Sequence, residues 1–152
     1  MYTPWRPRYQ GSAGTAVEGN LTSYGGSMAV EIGRREFEDL VADALDSIPE
    51  HLGNRMDNVA VTVAQWPTPR QLGPGSPGRT LLGLYEGVDL TRRSPLSYGA
   101  TMPDRITIFQ GPISAMARDQ ADLSALVRTT VIHEVAHHFG ISDARLAELG
   151  WA

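Results

Sequence analysis

The chain of 152 residues contains no cysteine, which excludes disulfides, thiolate metal ligands and a cysteine nucleophile. Any metal ion must therefore be held by histidine, aspartate or glutamate side chains. No apolar run reaches the length of about 18 residues that is typical of a transmembrane helix, so we expect no membrane span. The net charge of −4 gives no reason to expect a nucleic-acid partner. The first residues lack the apolar core of a signal peptide, and a cytoplasmic location is the default expectation.

The sequence divides into a short extension and one domain. Residues 1–27 contain many glycine, serine, threonine and proline residues and show no periodicity, which predicts a flexible N-terminal extension. Residues 28–152 have a length that is typical of a single domain.

Hydrophobic periodicity within the domain predicts both helices and strands. Helices are predicted at residues 34–48, 122–139 and 142–150, and strands at residues 59–63, 81–85 and 105–110. This order favours an α+β fold in which a small sheet packs on the long helix. Apolar residues lie almost all round that helix, which predicts that it is buried in the core.

The long helix carries the sequence His133-Glu134-Val135-Ala136-His137. Two histidines four residues apart on a helix differ by about 40° of rotation and about 6 Å of rise, so both imidazoles can reach one ion. Glu134 lies between them, where a carboxylate can touch a metal-bound water without ligating the metal. The spacing therefore predicts a catalytic zinc site, with Glu134 as the general base of a hydrolase.

A third ligand is predicted a few residues beyond the motif. Gly140 can end the helix in a left-handed turn, which would bring Asp143 back towards the ion. Two histidines, one aspartate and a water would complete an open tetrahedral zinc site. Two alternatives remain: Glu148 is the third ligand, or Asp143 is only an acidic residue in the first turn of the last helix, beside Ser142 as its cap.

Seven segments of the chain, in order, resemble a family of very small zinc-dependent metallopeptidases of bacteria that consist of a minimal zincin domain. They are REFE (35–38), DNVAV (57–61), LLGLYEG (81–87), Tyr98-Gly99, PDRITI (103–108), Gly111-Pro112 and HEVAHHFGISD (133–143). The resemblance implies a zincin-like α+β fold, zinc ligation by His133, His137 and Asp143, and catalysis by Glu134. It supplies no natural substrate.

One departure concerns the floor of the site. The wider metzincin peptidases share the long pattern through the glycine and the third ligand, and they place a methionine turn beneath the zinc. No methionine follows Asp143 here. Met102 and Met116 are the remaining candidates, although ordinary packing explains both.

Several further residues and one strand are candidates for roles in peptide hydrolysis. A second donor to the oxyanion is expected from Tyr98, or else from Tyr85, and both tyrosines also have an ordinary structural interpretation. His138 faces about 100° away from His137 and is interpreted as a packing residue. The strand at 105–110 is either an exposed edge that pairs with an extended peptide substrate or an interior strand.

Two rival functions remain open from the sequence. A metal-stabilised module could bind peptides with its protease activity latent or lost, since a domain this small has little chain for specificity pockets. A zinc endoribonuclease of the His-Gly-x-x-His type is disfavoured by Glu134 and by the charge of −4. The expected partner is a peptide or protein substrate, and the sequence does not indicate an oligomeric state.

Overall fold

The fold is built on a mixed sheet whose strands are not in chain order. The computed structural model describes residues 14–20, 29–56, 59–73, 79–87 and 104–148, without the side chains of residues 14–20, 51, 79 and 143. The strands of this part are β1 (Gly14–Asn20), β2 (Val59–Ala64), β3 (Arg79–Glu86) and β4 (Asp104–Phe109). Its helices are α1 (Arg34–Asp46), α2 (Glu50–Gly53), α3 (Pro69–Leu72), α4 (Gln110–Met116), α5 (Gln120–His138) and α6 (Asp143–Glu148).

The strand order across the sheet is β1-β3-β4-β2. β3 runs antiparallel to both β1 and β4, and β2 runs parallel to β4. β4 is therefore an interior strand, and all six of its residues are buried. The hypothesis that the strand at 105–110 is an exposed edge is wrong, because β2 and β3 take up its two sides.

β1 lies within the predicted N-terminal extension. It pairs with β3 from Gly14 opposite Glu86 to Asn20 opposite Arg79. The expectation of an extension without regular structure therefore does not hold for these seven residues. The backbone donors and acceptors along an unpaired strand edge can recruit a segment that has no periodic side-chain pattern. The domain boundary at residue 28 stays a prediction.

The core lies between the sheet and two helices. α5 packs across β1, β3 and β4 and against α1. The buried side of α1 consists of Phe37, Val41, Ala44 and Leu45, which confirms the apolar side predicted from its sequence. Apolar residues of α5 and of β2, β3 and β4 complete the same cluster. The α+β architecture, with a small sheet on a long helix, is confirmed.

Asp119 caps the N-terminus of α5, and its carboxylate accepts a hydrogen bond from the backbone N–H of Asp122 at 2.8 Å. Hydrogen bonds from the side chain and backbone of Arg118 lower the pKa of Asp122. The first half of α5 exposes one side to solvent, whereas every residue from Thr130 to His138 is buried or half-buried. The predicted burial of this helix is thus confirmed for its second half, which carries the motif. No helix in the described ranges has the length and apolarity to cross a membrane.

Candidate metal centre

The second half of α5 carries His133, Glu134 and His137 into the interior. Glu134 has no exposed surface, His137 is 7% exposed, and His133 is half-buried. Burying polar groups is unfavourable unless polar partners or a bound cation compensate for the loss of water. This turn of α5 is therefore a candidate for a functional polar or metal site.

A direct contact joins two of these side chains. Nδ1 of His137 lies 3.4 Å from a carboxylate oxygen of Glu134. This distance is longer than a normal hydrogen bond, so the contact orients the ring only weakly. In the neutral tautomer that carries its proton on Nδ1, the ring donates towards Glu134 and has its lone pair on Nε2. A zinc ion takes up such a lone pair.

Gly83 on β3 determines how closely Glu134 approaches the sheet. A Cβ atom built on Gly83 would lie 2.9 Å from Cγ and 3.1 Å from Oε1 of Glu134, and 2.7 Å from Cγ2 of Thr130. Any side chain larger than hydrogen would push into α5. The absence of a side chain at Gly83 therefore lets the carboxylate of Glu134 pack directly on the backbone of β3.

The end of α5 forms a Schellman turn. Gly140 has φ of 70°, its N–H donates to the carbonyl of His137, and the N–H of Ile141 donates to the carbonyl of Ala136. These two bonds satisfy carbonyls that the helix end leaves open. The prediction that Gly140 ends the helix in a left-handed turn is confirmed.

The two candidates for a third ligand lie on α6, just after this turn. Asp143 is the first residue of α6, and the hydroxyl of Ser142 accepts a hydrogen bond from the N–H of Arg145. The side chain of Asp143 lies outside the described part of the structure. Glu148 is exposed and accepts a hydrogen bond from Arg145 at 2.6 Å. Among the described side chains, no group of three histidine, aspartate or glutamate residues is placed to hold a metal ion.

Of the two candidate oxyanion donors, Tyr98 lies outside the described residues. Tyr85 is 2% exposed, and its hydroxyl donates to the carboxylate of Asp104 at 2.8 Å. Its hydroxyl is thus used inside the protein, which supports the structural interpretation of Tyr85.

Asp104 joins Tyr85 and His138 in one buried network. Nδ1 of His138 lies 3.0 Å from the Asp104 carboxylate, on the same oxygen that Tyr85 contacts. The rings of Tyr85 and His138 meet edge to face with centroids 5.7 Å apart. His138 has no exposed surface, which agrees with its interpretation as a packing residue. The network ties the last turn of α5 to β3 and β4, next to His137.

Asp104 and Gly83 are site residues that the sequence analysis did not single out. Asp104 precedes an alternating apolar strand and reads as a surface residue at a strand end. Gly83 reads as an ordinary glycine in an apolar segment. A glycine inside a strand is a recognised sign of close backbone approach, so Gly83 carried a signal that could have been used.

Comparison with known proteins agrees with this geometry. The family model described as a zincin-like metallopeptidase matches residues 56–151, well over half of the chain. This chain belongs to the zincin-like metallopeptidase family. The matched range includes β2, β3, β4 and α5, which hold all the described residues of the candidate centre. A search of curated proteins finds no match to the chain.

Membership of the zincin-like metallopeptidase family implies a metal, usually zinc. The described residues fit this requirement in their chemistry, since two histidines lie four residues apart on α5, about 40° of rotation from each other, and the buried carboxylate of Glu134 lies between them in sequence. With no cysteine in the chain, nitrogen and oxygen atoms are the available donors, and they suit zinc. The motif of this zincin-like metallopeptidase thus offers His133 and His137 as two candidate ligands for a zinc ion.

We predict that Gly83→Ala lowers the free energy of unfolding by about 1–3 kcal/mol, because the new methyl group overlaps Thr130 and Glu134. Urea unfolding monitored by circular dichroism measures this change. Thr130→Ser in the same background should recover part of the loss, since it removes Cγ2 and keeps the hydroxyl that bonds to Leu126. Gly53→Ala, where a Cβ meets nothing within 4 Å, is the control and should cause no loss. Equal stability of Gly83→Ala and the unaltered protein would contradict the close packing.

We predict that Tyr85→Phe costs about 1.5–3 kcal/mol of stability, because a buried carboxylate loses a hydrogen-bond donor. Asp104→Asn should also be destabilising. Because the two residues share one network, the double variant should lose at least about 0.5 kcal/mol less than the sum of the single losses. A thermodynamic cycle from denaturant unfolding tests this. Strictly additive losses would show that the Tyr85–Asp104 contact is not formed in solution.

Proposed function

We propose that this chain is a zinc-dependent metallopeptidase that hydrolyses peptide bonds with Glu134 as general base. The observation that supports this most is the fully buried carboxylate of Glu134 on the helical turn between two histidines. Glutamate is seldom fully buried, so a buried carboxylate between two histidines on one helix is a candidate functional group. The membership in the zincin-like metallopeptidase family supports the same reaction class.

In this proposal His133 and His137 hold the zinc ion, together with Asp143. When bound, zinc supplies a Lewis acid that lowers the pKa of a water to about 7. Glu134 holds the proton that the attacking water gives up and passes it to the leaving amine. Gly83 leaves room for the Glu134 side chain beside β3, so the carboxylate lies against the backbone of the strand.

Asp143 is favoured over Glu148 as the third protein ligand for two reasons. The Schellman turn at Gly140 reverses the chain immediately before Asp143. Glu148 lies at the far end of α6, and its carboxylate is exposed and paired with Arg145. Tyr98 is proposed as the second oxyanion donor, since Tyr85 is buried and bonded to Asp104. The proposed substrate is a peptide or protein and not a nucleic acid, in keeping with the net charge of −4.

The second candidate function is a zinc-stabilised module that binds peptides without cleaving them. The small size of the domain favours it, since little chain is left to form specificity pockets. Zinc binding is common to both candidates, whereas dependence of peptide cleavage on Glu134 belongs only to the peptidase. The zinc-binding experiment below tests the property that both candidates share, and the cleavage experiment distinguishes between them.

We predict that zinc raises the melting temperature of metal-free protein, because an ion bound only by the folded state adds about 2.7 kcal/mol at 100 times its Kd. His137→Ala should abolish this rise, and Asp143→Ala should weaken it. Glu148→Ala is the matched control on the same helix and should respond as the unaltered protein does. Differential scanning calorimetry with and without zinc measures the effect. A rise that survives His137→Ala would rule out this helical turn as the metal site.

We predict that Glu134→Gln lowers the rate of peptide cleavage by about 100-fold or more, because the general base is lost while the side chain keeps its shape. Zinc content and melting temperature should stay close to those of the unaltered protein. Cleavage of casein and of a peptide library, with zinc measured by atomic absorption, provides the test. Full activity in Glu134→Gln would exclude Glu134 as the base, and zinc binding without any cleavage by the unaltered protein would favour the binding module.

A further inference from the structure

The edge of β3 is covered by a segment that lies outside the matched family region. β3 has β4 on one side and β1 on the other. β1 comprises residues 14–20, whereas the family match starts at residue 56. In the described sheet β1 pairs only with β3, so its backbone hydrogen bonds to other strands form one antiparallel ladder.

The ladder between β1 and β3 runs close to Glu134, the proposed base. Val17 on β1 pairs with Gly83 on β3, and a Cβ at Gly83 would lie 2.9 Å from Cγ of Glu134. β1 also packs against α5, the helix that carries Glu134. The register shifts between Val17 and Glu18, so the regular pairing is interrupted at this point. A bulge disrupts a ladder locally, and here the disruption lies next to the Val17–Gly83 pair.

The other edge of the described sheet is less suited to receive a peptide. β2 is that edge, and the Arg34 guanidinium already donates to the carbonyl of Val63 on it. The strands on which α5 packs most closely are β1, β3 and β4. An extended polypeptide that must reach Glu134 through backbone pairing is therefore best placed on β3, in the position that β1 fills.

We propose that the edge of β3 binds an extended segment of the polypeptide substrate, and that residues 14–20 occupy this edge as an internal competitor. The identification of the bound segment as part of a substrate rests on the proposed function. Antiparallel backbone pairing accepts many sequences, so one edge can hold either β1 or a substrate segment. Because β1 is tethered, its effective concentration at the edge is in the millimolar range, and a substrate has to displace it. The N-terminal segment thus sets the threshold for substrate entry.

Binding can be tested without any hydrolysis. The full chain with Glu134→Gln, kept free of zinc, is titrated into a fluorescein-labelled peptide with the sequence AGTAVEGNL, which copies residues 13–21. The variant Thr15→Pro with Ala16→Pro removes two adjacent N–H groups, one of which faces β3 whichever way the strand is turned. We expect the peptide to bind this variant at least 10-fold more tightly than the protein with an intact β1. The peptide AGPPVEGNL, in which two prolines remove adjacent N–H donors, is the control and should bind neither.

A reversible disulfide that holds β1 on β3 provides the opposite of the proline variant. Asn20 and Arg79 are Cα partners at the end of the ladder, and the chain has no other cysteine, so Asn20→Cys with Arg79→Cys allows a single disulfide. The oxidised form should bind the peptide at least 10-fold more weakly than the same protein after reduction. Equal binding in the oxidised, reduced and proline forms of the protein, or equal binding of the proline-containing peptide, would overturn the proposal.

Hydrolysis is then measured separately with Glu134 intact and zinc present. Locking β1 should slow cleavage of casein at least 10-fold, and reduction should restore it. If peptide binding responds to the lock while no form cleaves any peptide, the edge site stands and the peptidase function fails. If cleavage is present and insensitive to the lock, the competitor role of β1 fails and the peptidase function stands.

Discussion

The close approach of α5 to β3 at Gly83 is the contact on which the candidate centre depends. It places the Glu134 carboxylate against the backbone of the sheet with no exposed surface. A methyl group at Gly83 would overlap both Glu134 and Thr130. The short distance between α5 and β3 therefore depends on glycine at this position. His133 and His137 lie about one helical turn apart on the same helix. The position of the proposed base relative to the ligands is therefore set by core packing and not by a flexible loop.

A second constraint acts on the end of the helix. The Asp104 carboxylate contacts both Tyr85 and His138, and the Schellman turn at Gly140 satisfies the last carbonyls. Both features fix the last turn of α5, which carries His137, and they determine where the chain leaves towards Asp143. Buried polar networks of this kind hold one arrangement when their members are satisfied. The fold thus provides a rigid support for the two proposed histidine ligands, and the proposed third ligand follows the turn.

Much of this arrangement could be predicted from local sequence. Helical spacing predicted that His133, Glu134 and His137 lie on one buried helix, and the preference of glycine for positive φ predicted the turn at Gly140. The partners of a strand are set by distant segments, so the sequence could not show that β4 is interior. It also gave no sign that residues 14–20 pair with β3. Asp104 was missed for a similar reason, because its burial depends on Tyr85 and His138, which are far away in the chain.

The most direct test of the account is a crystal structure of the protein with zinc, with anomalous diffraction recorded at the zinc absorption edge. The account predicts one strong peak within about 2.0–2.2 Å of a nitrogen of His133, a nitrogen of His137 and a carboxylate oxygen of Asp143. It also predicts that Glu134 approaches the ion without ligating it. A peak elsewhere on the molecule, or imidazoles of His133 and His137 that point apart in a zinc-saturated crystal, would contradict it.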